Sequence, residues 1–335
     1  MSENNNLALE IKDLTVHYEL DEECVEAVNG VSLSIEKGKI LGLVGETGAG
    51  KTSVCLSVLN LIPNPPGVIK SGEIRVNGKD VLHASIKELK QIRGGEVSMI
   101  FQDPMSSLNP VFSVGDQIAE SIMLHNELTA EQAWTRAEEM LELVGIPKER
   151  AREYPHQFSG GMKQRVVIAI ALSCNPKLLL ADEPTTALDV TIQAQVLRMM
   201  VALKKKFGTA MLFITHDLGI VAQICDEVAV MYAGKIIERG TLEDVFNRTK
   251  HPYTEGLFNS LPNIEDRRAE LRPIPGLMPD PTALPKGCAF APRCKYARPE
   301  CISTLQKEHF FSETHSILCS AYEDPAFRIE REEIR

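Results

Sequence analysis

The stretch Gly45-Glu46-Thr47-Gly48-Ala49-Gly50-Lys51-Thr52 fits G-x-x-x-x-G-K-[ST], and it constrains the fold more than any other part of the chain. It follows Ile40–Val44, an unbroken apolar run of the kind shown by a strand covered on both faces. A helical stretch comes next. In a strand–loop–helix unit of this kind, glycines let successive backbone N–H groups curl around phosphate oxygens, and the helix turns its positive end toward them. Lys51 is placed to neutralise the β- and γ-phosphates, and the Thr52 hydroxyl to ligate Mg²⁺. At average residue frequencies a chance match in a chain of this length is on the order of one in a hundred.

The remaining pattern is that of an α/β chain. Val31, Leu33 and Ile35 alternate with Ser32, Ser34 and Glu36, which predicts a half-buried strand. Further strands are expected at Gly72–Val76, before the turn pair Asn77-Gly78, and at Val97–Phe101. Thr129 with Gln132 forms a capping-box signature, and Ala133, Ala137, Met140, Leu141 and Val144 follow at helical spacing. This defines a helical insert over about residues 103–160. Apolar strands recur at Leu178–Ala181 and Met211–Thr215, separated by a helix that Asp189 caps and Gly208 ends. Strands alternating with such helices imply a largely parallel sheet covered on both faces. Glu227–Tyr232 and Lys235–Glu238 are expected to close it as a terminal hairpin. Beyond about residue 248 the composition shifts. Eight of the nineteen prolines lie between Pro262 and Pro299, and four of the eight cysteines between Cys288 and Cys319. The expected division is therefore 1–247 and a separate small module at 248–335.

Composition excludes several classes of function. Apolar residues at 44% and charged residues at 24% exclude wholesale disorder. The count of 36 Lys plus Arg against 46 Asp plus Glu gives −10, without the basic field of a nucleic-acid binder. No apolar run approaches the roughly eighteen residues of a membrane span. The polar start MSENNN does not resemble a signal peptide, so the expected compartment is the cytoplasm, where disulfides are disfavoured.

A second constellation is Leu178-Leu179-Leu180-Ala181-Asp182-Glu183. A buried strand ending in two acids sets carboxylates at the sheet edge where nucleotides bind. Asp182 is expected to hold Mg²⁺ through water, and Glu183 to act as general base on the attacking water. Ser159, Gly160 and Gly161 open a helix with a side-chain cap and unhindered N–H groups. Alone, that is a weak sign of an anion site, and an ordinary helix cap is the favoured reading.

Together with Gln102, the Phe158–Met162 segment, the Thr186-Ala187-Leu188-Asp189 turn and His216, these motifs occur in the order seen in ABC ATPase domains. The sequence resembles that family over residues 7–245. Tyr154-Pro155-His156-Gln157, the IPNPPG segment near Pro63 and the Cys-rich tail are similar to the ATPase subunits of dipeptide/oligopeptide importers. The resemblance implies a P-loop ABC-type ATPase domain, a mixed α/β sheet with an antiparallel β subdomain and a helical subdomain, plus a small Cys-rich C-terminal metal-binding module. It implies that Tyr18 stacks on adenine and that Gln102 contacts Mg²⁺ or the attacking water. His216 would touch the γ-phosphate. Ser159, Gly160, Gly161 and Asp189 would serve ATP held by a second ATPase subunit. Met162 departs from the Gln of many ABC proteins, although peptide-importer subunits commonly carry Met there.

Cys288, Cys294, Cys301 and Cys319 are separated by five, six and seventeen residues, without the paired knuckles of a zinc ribbon. The residues alone leave zinc and iron–sulfur open; the resemblance implies a [4Fe–4S] cluster, with zinc as the alternative. Cys24, Cys55, Cys174 and Cys225 are expected to be reduced structural thiols, and His309 and His315 bystanders. The implied partners are two transmembrane permease subunits, a homologous ATPase subunit or a second copy of the chain, and, indirectly, an extracytoplasmic peptide-binding protein. No nucleic-acid partner is expected. The implied location is peripheral, on the cytoplasmic face of the inner membrane. The implied function is ATP hydrolysis driving uptake of di- or oligopeptides through nucleotide-driven dimerisation. The alternatives are another cargo, such as nickel, and a non-transport ABC ATPase.

Overall fold

A computed structural model describes residues 6–103, 107–186, 188–261 and 273–329. Ala187 lies outside the described residues. Strands β1 (Leu7–Glu19), β2 (Cys24–Glu36), β4 (Gly67–Val76) and β5 (Lys79–Asp80) form an antiparallel sheet in the order β2-β1-β4-β5. The second sheet contains β3 (Ile40–Val44), β6 (Val97–Ile100), β7 (Leu178–Asp182), β8 (Ala210–Ile214), β9 (Glu227–Tyr232) and β10 (Lys235–Thr241). It is completed by β11 (Glu308–Phe310) and β12 (Ser316–Leu318), in the order β11-β12-β10-β9-β3-β8-β7-β6. The run β9-β3-β8-β7-β6 is parallel, and β10, β12 and β11 add to it antiparallel.

Alternation along the central strands explains why they carry unbroken apolar runs. Ile40 and Val44 of β3, Leu179 and Ala181 of β7, and Met211 and Phe213 of β8 point into one core. Leu41 and Leu43, Leu178 and Leu180, and Leu212 and Ile214 point into the other. Both faces are therefore dry, and no position along these strands can be polar without loss.

The first core packs the sheet against α5 (Gly160–Leu172), α6 (Val190–Phe207) and the helical insert, α3 (Val114–His125) and α4 (Ala130–Leu143). The expected capping box is present, with Thr129 accepting from Gln132 N–H and Gln132 Oε1 accepting from Thr129 N–H. The second core packs the sheet against α1 (Lys51–Val58) and the inner face of the antiparallel sheet. A short α2 (Ile86–Ile92) and α7 (Leu218–Ile224) follow the same pattern at the periphery.

The C-terminal part adds α8 (Leu242–Asn247), α9 (Pro252–Asn259) and α10 (Pro299–Ser303). The expected hairpin β9–β10 is present but is not terminal, because β12 pairs with β10 through Glu238 and Arg239. At that junction Glu238 is buried, accepts the N–H groups of Lys250 and His251, and meets His315 Nε2 at 2.8 Å. His315, expected only to be no ligand of the cysteine site, is a buried partner of the sheet. Among the described residues no helix is long and apolar enough to cross a membrane.

Candidate functional site

The parallel strands end on one edge of the sheet, and that edge gathers the chemistry. Gly45, Gly48 and Gly50 lie at φ 154°, 84° and 101°, conformations that side chains resist. Close approach adds a second reason at two of them. A Cβ on Gly45 would fall 2.2 Å from the Met231 carbonyl oxygen, and one on Gly50 would fall 2.1 Å from that of Ala27. The loop therefore sits on β9 and β2 with no room to spare. Lys51 is buried, and its Nζ donates to the carbonyl oxygens of Gly45 at 2.8 Å and Glu46 at 2.9 Å. Burial lowers its pKa against the opposing pull of Glu183, Asp182 and Glu46.

At the end of β7, Asp182 Oδ2 accepts the Thr52 hydroxyl at 2.8 Å. This joins the last loop residue to the strand carboxylate, the oxygen pair expected for a Mg²⁺ site. Burial holds the Asp182 pKa above its ordinary value; the Thr52 hydrogen bond only partly offsets this. Glu183 differs. Burial acts to raise its pKa, but hydrogen bonds from Thr186, His216 and Gln102 outweigh that and hold it below the ordinary value. Gln102 Nε2 donates to Oε2 at 3.0 Å, the Thr186 hydroxyl to the same oxygen at 3.0 Å, and His216 Nδ1 lies 3.5 Å from Oε1. Glu183 itself has φ 47°, a left-handed backbone for a non-glycine residue.

Tyr18 is half-buried on β1, with its hydroxyl 3.1 Å from that of Ser53 on α1. That puts its ring beside the helix that starts in the phosphate loop. Ser159 caps α5 by accepting from Met162 N–H at 3.4 Å, and Asp189 caps α6 by accepting from Ile192 N–H at 3.0 Å. Ser159 and Gly160 are exposed. Among the described residues, no hydrogen bond ties Ser159, Gly160 or Gly161 to the phosphate loop of the same chain. Met162 Sδ accepts from Arg150 Nη1 at 3.5 Å, so its side chain is tied to the helical insert.

The four tail cysteines line one cavity of about 20 Å³, together with His251, Phe290 and Tyr296. Burial raises the thiol pKa of Cys288, that of Cys294 to about 11 and that of Cys319 to about 12. Among the described residues, no three His, Cys, Asp or Glu side chains stand close enough to ligate one metal ion. The expected metal-binding module is thus not borne out as a formed metal site: four thiols line one cavity, without a ligand set for a metal ion among the described residues. Cys55 and Cys225 are buried thiols of the core, as expected.

Residues 28–186 match the family described as ABC transporter, and residues 237–301 the family described as Oligopeptide/dipeptide transporter, C-terminal region. The chain is 53% identical over 292 residues to the oligopeptide transport ATP-binding protein OppD of Bacillus subtilis, covering 86% of this chain and 82% of that one. It is 46% identical over 318 residues to AppD, another oligopeptide transport ATP-binding protein of the same organism, covering 94% and 97%. The chain belongs to the ABC transporter family. Its cassette also superposes on the dimeric, ADP- and phosphate-bound ATP-binding cassette MJ0796 with a TM-score of 0.63, at 25% identity, covering 70% of this chain and 98% of that one. As an ABC ATPase, the chain hydrolyses ATP.

Two contacts of the site escape a reading of sequence motifs. Thr186, within the turn after β7, donates its hydroxyl to the Glu183 carboxylate. Arg293, beside Cys294, pairs with Glu46 of the phosphate loop. The first had a sequence signal in its spacing from Glu183. The second had none, because 247 positions separate the partners.

Proposed function

We infer that the chain is the ATP-hydrolysing subunit of a membrane importer and energises uptake of di- or oligopeptides. The observation that carries the reading is the joining of four strand ends, those of β3, β6, β7 and β8, at one edge. The phosphate loop, Thr52 with Asp182, and Glu183 with Gln102 and His216 share the same sheet edge. The match of the tail to the oligopeptide/dipeptide C-terminal region, together with relatives named for oligopeptide transport, selects the cargo class.

Lys51 already donates to two loop carbonyls, and phosphate oxygens are stronger acceptors, so its ammonium would transfer those bonds to the β- and γ-phosphates. Tyr18 would cover the base, where stacking contributes about 1–3 kcal/mol. Thr52 and Asp182 would hold Mg²⁺, with Gln102 beside it; bound there, the ion neutralises phosphate charge. Glu183, kept ionised by three donors, would accept the proton of the attacking water, a role worth about 10²–10⁴ in rate. His216 and Gln102 hold its two oxygens in place. Ser159 and Gly160, both exposed, and the half-buried Gly161, none of them bonded to the phosphate loop of their own chain, would close over ATP held by an opposing ATPase subunit, with Asp189 at the same seam. ATP would then bridge two chains, and its hydrolysis release them.

The helical insert begins beyond Gln102; Val111, Phe112 and Tyr154 within it, and Phe101 just before it, are exposed. That apolar surface supports contact with permease subunits, two per assembly, at the cytoplasmic face of the inner membrane, where the chain would be peripheral. A homologous second ATPase subunit is the favoured partner, and a binding protein outside would supply cargo. Purification with membrane permeases, and peptide-stimulated ATP hydrolysis in the reconstituted complex, tests this. Stimulation unchanged by Gln102→Ala would remove Gln102 from the coupling.

The same reading assigns a [4Fe–4S] cluster to Cys288, Cys294, Cys301 and Cys319. Its support is the convergence of four thiols on one narrow cavity, in a tail otherwise held by short elements. In such a cluster each thiolate binds a different iron, so the sulfurs stand farther apart than around one ion. Iron and acid-labile sulfide in equal amounts are expected in protein purified without oxygen, and both should be lost in Cys319→Ser. Wild-type protein without either would end this assignment.

A further inference from the structure

Glu46 is the second residue of the phosphate loop, and both of its ends are held from the C-terminal half of the chain. Arg293 Nη1 donates to Glu46 Oε2 at 2.9 Å and Oε1 at 3.2 Å. The Glu46 N–H donates to the Tyr253 hydroxyl at 3.0 Å. The guanidinium is nearly sealed, its side chain 7% exposed against 28% for Glu46. It is also fixed on its other sides. Arg293 Nε donates to the Pro275 carbonyl oxygen at 2.8 Å, and Nη1 to the Tyr232 hydroxyl at 3.3 Å.

Arg293 ends the 3₁₀ turn Ala291–Arg293, which fills the chain between Cys288 and Cys294. Ala291 N–H donates to the Cys288 carbonyl oxygen at 3.0 Å, and Cys294 N–H to that of Ala291 at 3.2 Å. Whatever sets the positions of those two cysteines therefore sets the guanidinium.

Charge gives this contact a consequence. A carboxylate carried by a triphosphate-binding loop has the same sign as the ligand. Glu46 is close enough to Lys51 to act on its charge, so it lies within the field of the phosphate site. Paired with Arg293, it is neutral toward the phosphates. Unpaired in this sheltered place, it repels them with little screening by salt.

We propose that Arg293 is a positioning residue for the nucleotide site, acting through Glu46 to neutralise and orient the phosphate loop and tying the cysteine-bearing tail to ATP affinity. The proposal rests on the ATP-binding reading given above. By linkage, a tail that favours the pair strengthens ATP binding, and bound ATP in turn stabilises the tail.

The test is calorimetric titration of Mg·ATP into the full chain and into Arg293→Ala, Glu46→Gln and the double variant, each first shown to be folded by its melting curve. Arg293→Ala is expected to raise Kd about tenfold, or about 1.4 kcal/mol. Adding Glu46→Gln should bring Kd back to within about threefold of wild type, because the stranded carboxylate causes the loss. A tail merely loosened by Arg293→Ala would not be rescued by a change in the loop. An Arg293→Ala Kd within about twofold of wild type, or a double variant as weak as Arg293→Ala, overturns the proposal. Should Arg293→Ala not fold, Arg293→Gln with and without Glu46→Gln carries the same cycle. A wild-type chain that does not bind Mg·ATP would overturn the ATP reading itself, an outcome distinct from a failed rescue.

Discussion

Asp182 and Glu183 are neighbours in sequence with opposite electrostatics, and the difference comes from donors. Asp182 receives the Thr52 hydroxyl and is otherwise desolvated; Glu183 receives three side chains. The folded-state pKa of Asp182 lies above the ordinary 3.8, so its ionisation is harder in the folded chain than in the unfolded one. That penalty is absent below the unfolded value and accrues as pH rises through the raised one, leaving a net destabilisation at neutral pH. Asp182→Asn is therefore expected to raise the melting temperature of the nucleotide-free chain while weakening Mg·ATP binding. A lower melting temperature would contradict this. Glu183→Gln keeps the size of the side chain and removes the base. Hydrolysis should fall by about 10²–10⁴ with ATP affinity retained, as read by single-turnover kinetics beside equilibrium binding.

At the scale of elements, the site depends on how strands and helices begin and end. The phosphate loop works because β3 ends against β9 and β2, whose carbonyls leave no space for side chains at Gly45 and Gly50. Gly50→Ala, strained in its backbone and clashing with Ala27, should abolish measurable ATP binding while the chain stays folded. The N-terminus of α5 has a different economy. Its cap contributes about 1 kcal/mol, and thirteen residues of helix packed into the first core supply the rest. Ser159→Ala should thus lower stability by only about 1 kcal/mol yet eliminate ATP-dependent pairing of ATPase subunits. Light scattering with and without Mg·ATP distinguishes the two effects. Equal pairing by the variant would remove Ser159 from the seam.

On the scale of the whole molecule, the tail joins the cassette through the sheet. β12 extends the central sheet, and the His315–Glu238 contact lies inside it, with side chains 3% and 0% exposed. Removing one partner of a buried hydrogen bond costs about 1–3 kcal/mol. His315→Ala should fall near the lower bound, since Glu238 keeps two backbone donors, and denaturant unfolding would measure it. No measurable loss would mean that the contact matters little to the fold.

Much of this was legible along the chain. The strand runs of β3, β7 and β8, the Thr129 capping box and the strand–loop–helix around Lys51 are local patterns, written within a few residues of one another. The Asp182 and Glu183 positions follow from the same logic, since strand ends in a parallel sheet must share an edge, whereas Gln102 and His216 were implied only by the resemblance. The extension resisted such reading because its strands are only three residues long and its order comes from partners far away.

Sequence alone therefore determined the cassette, its phosphate loop and the identity of its acids, because backbone periodicity and glycine placement act over neighbouring residues. Only the tertiary structure decided that β12 completes the central sheet, that four scattered thiols face one cavity, and that Arg293 reaches Glu46. Those contacts join positions distant along the chain, and local physics places no mark on either partner until packing brings them together.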